Sequence, residues 1–167
     1  MRSGPVVIGF DGTTEAERAL RESAALLAPR SALVVVVWEA GRAFEVATLP
    51  NRALEMPPVS VDVRAALEAE EVVYEAAERL AQQGAVLASE LGYRAEGLAV
   101  ADDLTVADTL VRIATERDSP ALVVGSHGRR GLTSALLGGT SKGVVAKAPC
   151  PVLVVRTDPR RKRTDGR

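Results

Sequence analysis

The segment Ala32–Trp38 reads ALVVVVW, an unbroken apolar run with four consecutive valines. A strand exposed on one face alternates apolar with polar side chains; a strand covered on both faces does not. β-branched residues crowd a helix and suit a pleated backbone, so this run predicts an inner strand of a parallel sheet. Parallel strands need long crossover connections, usually helical, and these must then lie on both sides of it in sequence.

The flanking sequence supplies them. Pro5–Phe10 (PVVIGF) is a shorter β-branched run stopped by the turn pair Asp11-Gly12, after which Thr13 or Thr14 is placed to cap a helix. In that helix Ala16, Ala19, Leu20, Ser23, Ala24 and Leu27 share one face, and Pro29 and Ser31 end it. A long helix is predicted from about Arg64 to Leu91, with Val73, Ala77, Leu80, Gly84, Leu87 and Leu91 tracing its apolar stripe and Gly92 at its C-terminal cap. Arg94–Val100 is the third strand. Thr105 to Arg117 carries helical spacing, Ala121–Val124 is the fourth strand, a helix follows near Ser141–Lys147, and Pro151–Val155 (PVLVV) is the fifth strand.

Strands and helices thus alternate, which predicts an α/β fold. It is a doubly wound, five-stranded, mainly parallel sheet of order 3-2-1-4-5 with helices on both faces. One domain spans residues 1–156, and residues 157–167 form a basic tail without an apolar face, expected to be disordered. Between the second strand and the long helix, Glu39–Val63 has no clear period and holds Pro50, Pro57 and Pro58. So long a connection exceeds ordinary loops and leaves from the carboxyl edge of the sheet, where it is positioned to act as a lid. Ligands of such sheets bind beyond the carboxyl ends of the strands, so the loops after strands one, two and four are the ones to watch.

Composition removes several function classes. Aromatic residues are only 3%, too few for a single-strand nucleic-acid stacking platform, and the net charge of −1 gives no field that draws polyanions or acidic membranes. The single cysteine, Cys150, excludes an intrachain disulfide and a thiolate metal cluster. No apolar run approaches the roughly 20 residues of a membrane helix. The N-terminus enters a strand pattern without a signal-peptide cleavage site, so the expected location is cytoplasmic.

The most informative segment is Gly125-Ser126-His127-Gly128, nine further residues, then Gly138-Gly139-Thr140-Ser141. Glycines admit close backbone approach and positive φ, so successive N–H groups can form an anion-binding nest. The second cluster opens a helix, whose first N–H groups also favour negative charge, and Thr140 and Ser141 add hydroxyls. From the residues alone, turn-forming glycines without a ligand account for the pattern equally well. The spacing is neither a Walker A loop nor the Gly-x-Gly-x-x-Gly dinucleotide signature.

The run ALVVGSHGRRGLTSALLGGTSKGVVAKAPCPVLVV resembles the C-terminal signature of the universal stress protein family, and VVIGFDGTTEAERAL resembles its first strand and helix. The similarity covers about residues 5–156. ATP-binding members carry Gly-x-x-Gly, nine residues, then Gly-Ser/Thr, and Gly125, Gly128 and Gly138 match that spacing. The resemblance implies a Rossmann-like fold of the adenine nucleotide alpha hydrolase type and a bound ATP, with Mg²⁺ carried on its phosphates. It places Asp11 near adenine and ribose, Val37 against the adenine, and Gly125, Ser126, His127 and Gly128 around ribose and phosphates, with Gly138 to Ser141 closing on the phosphates. It also implies homodimers through the last strand, Pro151–Val155. One position departs: Gly139 stands where the ATP-binding pattern has Ser or Thr, so that hydroxyl is lost unless Thr140 replaces it.

Other candidates carry less. His127 is the only histidine and has no partners spaced for zinc, so it is read as a nucleotide contact. Arg129, beside the second glycine, is the better placed loop arginine for a phosphate. Asp102-Asp103 suits Mg²⁺ or, more simply, a helix cap. Ser126 lacks a nucleophile elbow and a base–acid pair, and Cys150 lacks an activating neighbour. The residues therefore point to a nucleotide-dependent stress or signalling protein without efficient turnover. A slow ATPase, or an interaction module with an empty pocket, are the alternatives.

Overall fold

A computed structural model of the chain describes residues 2–40, 63–102, 104–126 and 138–156. Its elements run β1 (Val6–Gly9), α1 (Thr14–Leu27), β2 (Ser31–Trp38), α2 (Val63–Glu90), β3 (Arg94–Ala101), α3 (Val106–Glu116), β4 (Leu122–Gly125), α4 (Gly139–Lys147) and β5 (Val152–Val155). All strand pairs are parallel and the order is β3-β2-β1-β4-β5, the doubly wound α/β sheet expected from the alternation. The expected lid segment, apart from Glu39, Ala40 and Val63, and the basic tail lie outside the described residues.

Two cores sandwich the sheet. Val6, Ile8, Val34 and Val36 meet α1 and α2 on one face; Val7, Leu33, Val35 and Val124 meet α3 and α4 on the other. Successive side chains of one strand therefore enter different cores, which is why β2 shows no polar alternation. Ile8, Val34, Val35 and Leu122 are at most 1% exposed. Thr13 caps α1, its Oγ1 accepting from the Ala16 N–H at 3.2 Å, and Gly92 ends α2 at φ +97°. Thr105, rather than Asp102, caps α3 by accepting from the Asp108 N–H at 3.1 Å, and Asp103 lies outside the described residues.

The buried stripe of α2 differs from the one expected. Ala66, Ala77, Ala81, Gly84, Ala85 and Ala88 face inward, Leu80, Leu87 and Leu91 pack at the margin, and Val73 is 47% exposed. The cause is the closeness of the helix to the sheet. A Cβ on Gly97 of β3 would lie 2.6 Å from the Ala81 carbonyl, and one on Gly84 would lie 2.8 Å from Val34 Cγ1. Leucine on that contact line would hold the two backbones apart.

Helix α2 has 28 residues and β2 has 8. At roughly 1.5 Å and 3.3 Å per residue these span ~42 Å and ~26 Å. Since α2 runs into β3 through a short turn at the amino edge, its first turns project beyond the carboxyl edge of the sheet. They form one wall of the hollow described next.

Candidate ligand site at the carboxyl edge of the sheet

A cavity of about 790 Å³ opens at the carboxyl ends of the strands, within the range of small-molecule and cofactor sites. Its lining brings together Asp11, Val37, Gly125, Gly138, Gly139, Thr140 and Ser141. These residues come from the loops after β1 and β4 and from the end of β2, where the two halves of the sheet diverge. Ser126 is 2% exposed and stands behind the lining, while His127, Gly128 and Arg129 lie outside the described residues.

The base of the site follows from strand lengths. The β1–β2 pairing ends at Gly9↔Val35, yet β2 continues to Trp38 alongside β3. The Phe10 N–H donates to the Val35 carbonyl at 2.9 Å, and the Asp102 N–H donates to the Trp38 carbonyl at 2.9 Å. By ladder alternation the Val37 peptide groups face the β1 side, after β1 has turned away at Asp11. One backbone donor and one backbone acceptor thus line the floor, the complement of a base edge.

Asp11 is fixed at the head of α1. Its Oδ1 accepts from the Thr13 N–H at 3.0 Å and from Thr13 Oγ1 at 2.6 Å, while Thr13 Oγ1 accepts from Ala16. A carboxylate held this way has a defined position beside the cavity.

The opposite end is the start of α4. Gly138 is its N-cap, at φ −62° and ψ 164°, with no side-chain cap bond. The Gly139, Thr140 and Ser141 N–H groups precede the first intrahelical donor, the Lys142 N–H that bonds the Gly138 carbonyl at 3.0 Å, and the helix dipole adds partial positive charge there. No described residue lies within 4 Å of a Cβ built on Gly139, and Thr140 is exposed. Ser141 is different: it is 2% exposed, and its Oγ donates to the Gly125 carbonyl at 2.7 Å. The Gly138 N–H donates to the Ser126 carbonyl at 2.8 Å, and the Ser126 N–H to the Val155 carbonyl at 2.8 Å. Ser126 and Ser141 therefore fasten the loop ends to the sheet, which a reading of hydroxyls as ligand donors does not anticipate.

The remaining wall was not legible as a site. Val73, Ala76 and Leu80 of α2 and Val106 and Leu110 of α3 line the cavity, and periodicity marked several of these simply as core. Trp38 lines it too. Its ring centroid lies 5.9 Å from that of Tyr74, tilted by 57°, and its Nε1 is the one buried side-chain polar atom without a partner among the described residues. The charged lining residues among those described are Asp11, Glu39 and Glu70, all acidic. Described residues hold no group of three metal-ligating side chains. Burial pushes the Cys150 thiol up, away from a reactive thiolate. No described helix is long and apolar enough to cross a membrane.

Comparison with known proteins agrees with this fold. The sequence profile of the Universal stress protein family matches residues 3–156. A universal stress protein of Mycobacterium tuberculosis is 32% identical over 154 residues, covering 92% of this chain and 48% of the relative, so the chain spans about half the length of that protein. The universal stress protein of Archaeoglobus fulgidus in complex with dAMP superposes with a TM-score of 0.57 at 21% identity, over 92% of this chain and 98% of that one. A universal stress protein family member from Arabidopsis thaliana with AMP bound gives 0.58 at 16% identity, over 97% of each chain.

Proposed function

The chain belongs to the universal stress protein family, and on that premise we propose that it binds an adenine nucleotide, ATP first among them, at the carboxyl edge of its sheet. The observation that carries the proposal is one cavity joining the Val37 backbone edge and Asp11 at one end to the uncapped α4 N-terminus at the other. Base and ribose lie on Val37 and beside Asp11. The phosphates meet the Gly139, Thr140 and Ser141 N–H groups, with the Thr140 hydroxyl as an added donor. Mg²⁺ enters only on the phosphates, where it offsets the repulsion from Asp11, Glu39 and Glu70.

The role that fits is a cytoplasmic stress-response protein whose shape or partners depend on nucleotide, rather than an efficient enzyme. Of the carboxylates in the described lining, Asp11 sits at the base end and already accepts two hydrogen bonds from Thr13, which makes it a poor candidate to activate a water at the phosphates. Homodimerisation through the β5 edge belongs to the same proposal: β5 pairs with β4 on one side, and its four residues are half-buried.

Calorimetric titration with ATP, ADP and AMP tests the binding, together with identification of any small molecule released when the natively purified protein is denatured. Gly139→Val, which adds bulk to a residue of the cavity lining with open space around its Cβ, should abolish binding while leaving the far-UV circular dichroism intact. If the parent binds no adenine nucleotide at millimolar concentration and Gly139→Ser restores none, the nucleotide reading falls and the interaction module replaces it.

A further inference from the structure

The opposite edge of the sheet carries a second hollow. A cavity of about 660 Å³ lies at the amino ends of β1, β2 and β3, and its lining includes Pro5, Ser31, Leu33, Arg94, Glu96 and Arg117. Arg94 opens β3, and Arg117 is the C-cap of α3. Along β3, Ala95 and Ala99 belong to the α1–α2 core, and Leu98 and Val100 to the α3–α4 core. By strand alternation Arg94 and Glu96 therefore face the α3 side, as Leu33 does. Arg117 stands at the β1 margin of that same face: a Cβ on Gly4, just ahead of β1, would lie 1.7 Å from the Arg117 carbonyl oxygen. β1 and β3 flank β2, so their axes are about 10 Å apart. A group resting over the start of β2 has a guanidinium on each side.

Both arginine backbones are fixed, the Arg94 N–H donating to the Arg30 carbonyl at 3.0 Å and the Arg117 N–H to the Ile113 carbonyl at 2.9 Å. Arg2, Arg18, Arg79 and Arg112 each pair with a carboxylate, whereas neither Arg94 nor Arg117 does among the described residues. We propose that this cavity is a second ligand site, in which Arg94 and Arg117 hold one oxyanion, a carboxylate or a phosphate, from opposite sides, with the Ser31 hydroxyl as a further donor. A guanidinium suits such a head because its rigid fork of N–H donors matches two oxygens at once. Two arginines against Glu96 leave the lining a net charge of +1, which favours a single charged head and opposes a polyphosphate. Pro5 and Leu33 offer an apolar bed for the body attached to that head. The ligand class is a small organic monoanion. The site shares no lining residue with the nucleotide cavity and does not depend on it.

Amide chemical-shift titration of the full chain with acetate, butyrate and inorganic phosphate, at ionic strength held constant with sodium chloride, tests this. Butyrate or phosphate should move the amides of Ser31, Leu33 and Glu96 with one saturating midpoint. Butyrate binding more tightly than acetate identifies a carboxylate head on an apolar body; phosphate binding most tightly identifies a phosphate head. Both arginine side chains are exposed, so Arg94→Gln and Arg117→Gln should each weaken the midpoint by about 2- to 5-fold, the range of an exposed charge pair. Glu96→Gln should tighten it, for phosphate more than for butyrate, because a repulsion is removed. Shifts at the amino edge that stay linear for all three anions overturn the proposal, as does a midpoint indifferent to both arginine variants. A weaker midpoint in Glu96→Gln overturns it as well, so the parent and this variant decide the matter even if an arginine variant does not fold. Shifts confined to Gly139–Ser141 also overturn it, and report on the nucleotide cavity instead.

Discussion

The Ser141 hydroxyl donates to the Gly125 carbonyl at 2.7 Å, joining the first turn of α4 to the last residue of β4 across the loop between them. The bond ties together the two described ends of the glycine-rich segment. It spends a hydroxyl that the ligand would otherwise meet, and it aims the free N–H groups of α4 at the cavity. Positioning and binding are thus divided between adjacent residues, Ser141 and Thr140.

That division is testable by paired alanine substitutions. Ser141→Ala removes a buried hydrogen bond and should lower stability by about 0.5–1.5 kcal/mol. Thr140, exposed at the mouth, should lose affinity for ATP on replacement by alanine while its unfolding midpoint stays near that of the parent. Urea unfolding and calorimetric titration on both variants decide the matter. The reverse pattern would make the Ser141 hydroxyl, rather than that of Thr140, the ligand contact.

Gly139→Ser should be accepted without structural cost, since a Cβ there meets no described residue within 4 Å. A serine hydroxyl within reach of a phosphate oxygen should tighten ATP by about 0.5–1.5 kcal/mol. Equal affinity of variant and parent would mean that the phosphates do not pass this residue.

Gly97→Ala should destabilise strongly, because the new Cβ would sit 2.6 Å from backbone atoms of Ala81 and cannot be relieved by a side-chain rotation. Forcing α2 off the sheet should cost about 1–3 kcal/mol. It should also displace the α2 wall of the cavity, so thermal unfolding and ligand titration should both respond. A neutral Gly97→Ala would show that α2 packs more loosely than described.

Acid should weaken the α3–α4 contact. Hydrogen bonds from Lys147, at 2.6 Å, and from Thr105 hold the Asp108 carboxyl below the usual carboxylate range. A depressed folded pKa means that the contribution is present above the unfolded value of about 3.9 and disappears as pH falls through the folded one. Asp108→Asn should therefore flatten the dependence of stability on pH below about pH 5, read from urea midpoints against pH. The exposed pair is screened by salt, so the effect should shrink at high ionic strength.

Sheet order and helix placement followed from the sequence alone, while Asp11, Val37 and Gly138–Ser141 were singled out at the carboxyl edge by the resemblance to a known family. Strand runs, helical periods and turn pairs are local signals, and the right-handed crossover rule turns their order into a topology. Tertiary structure decided the rest. The inward face of α2 is alanine and glycine, with its leucines at the margin, because Gly97 on another strand lets the helix backbone approach; a period reports where side chains point, not how near the neighbour stands. Ser141 became a strap, although its sequence position suited a ligand contact, because the end of β4 places a carbonyl beside it. Trp38 reads in sequence as one more apolar residue of a buried strand. Its place in the cavity wall depends on β2 outrunning β1 and α2 overhanging the edge, and those relative lengths act between elements that no local pattern connects.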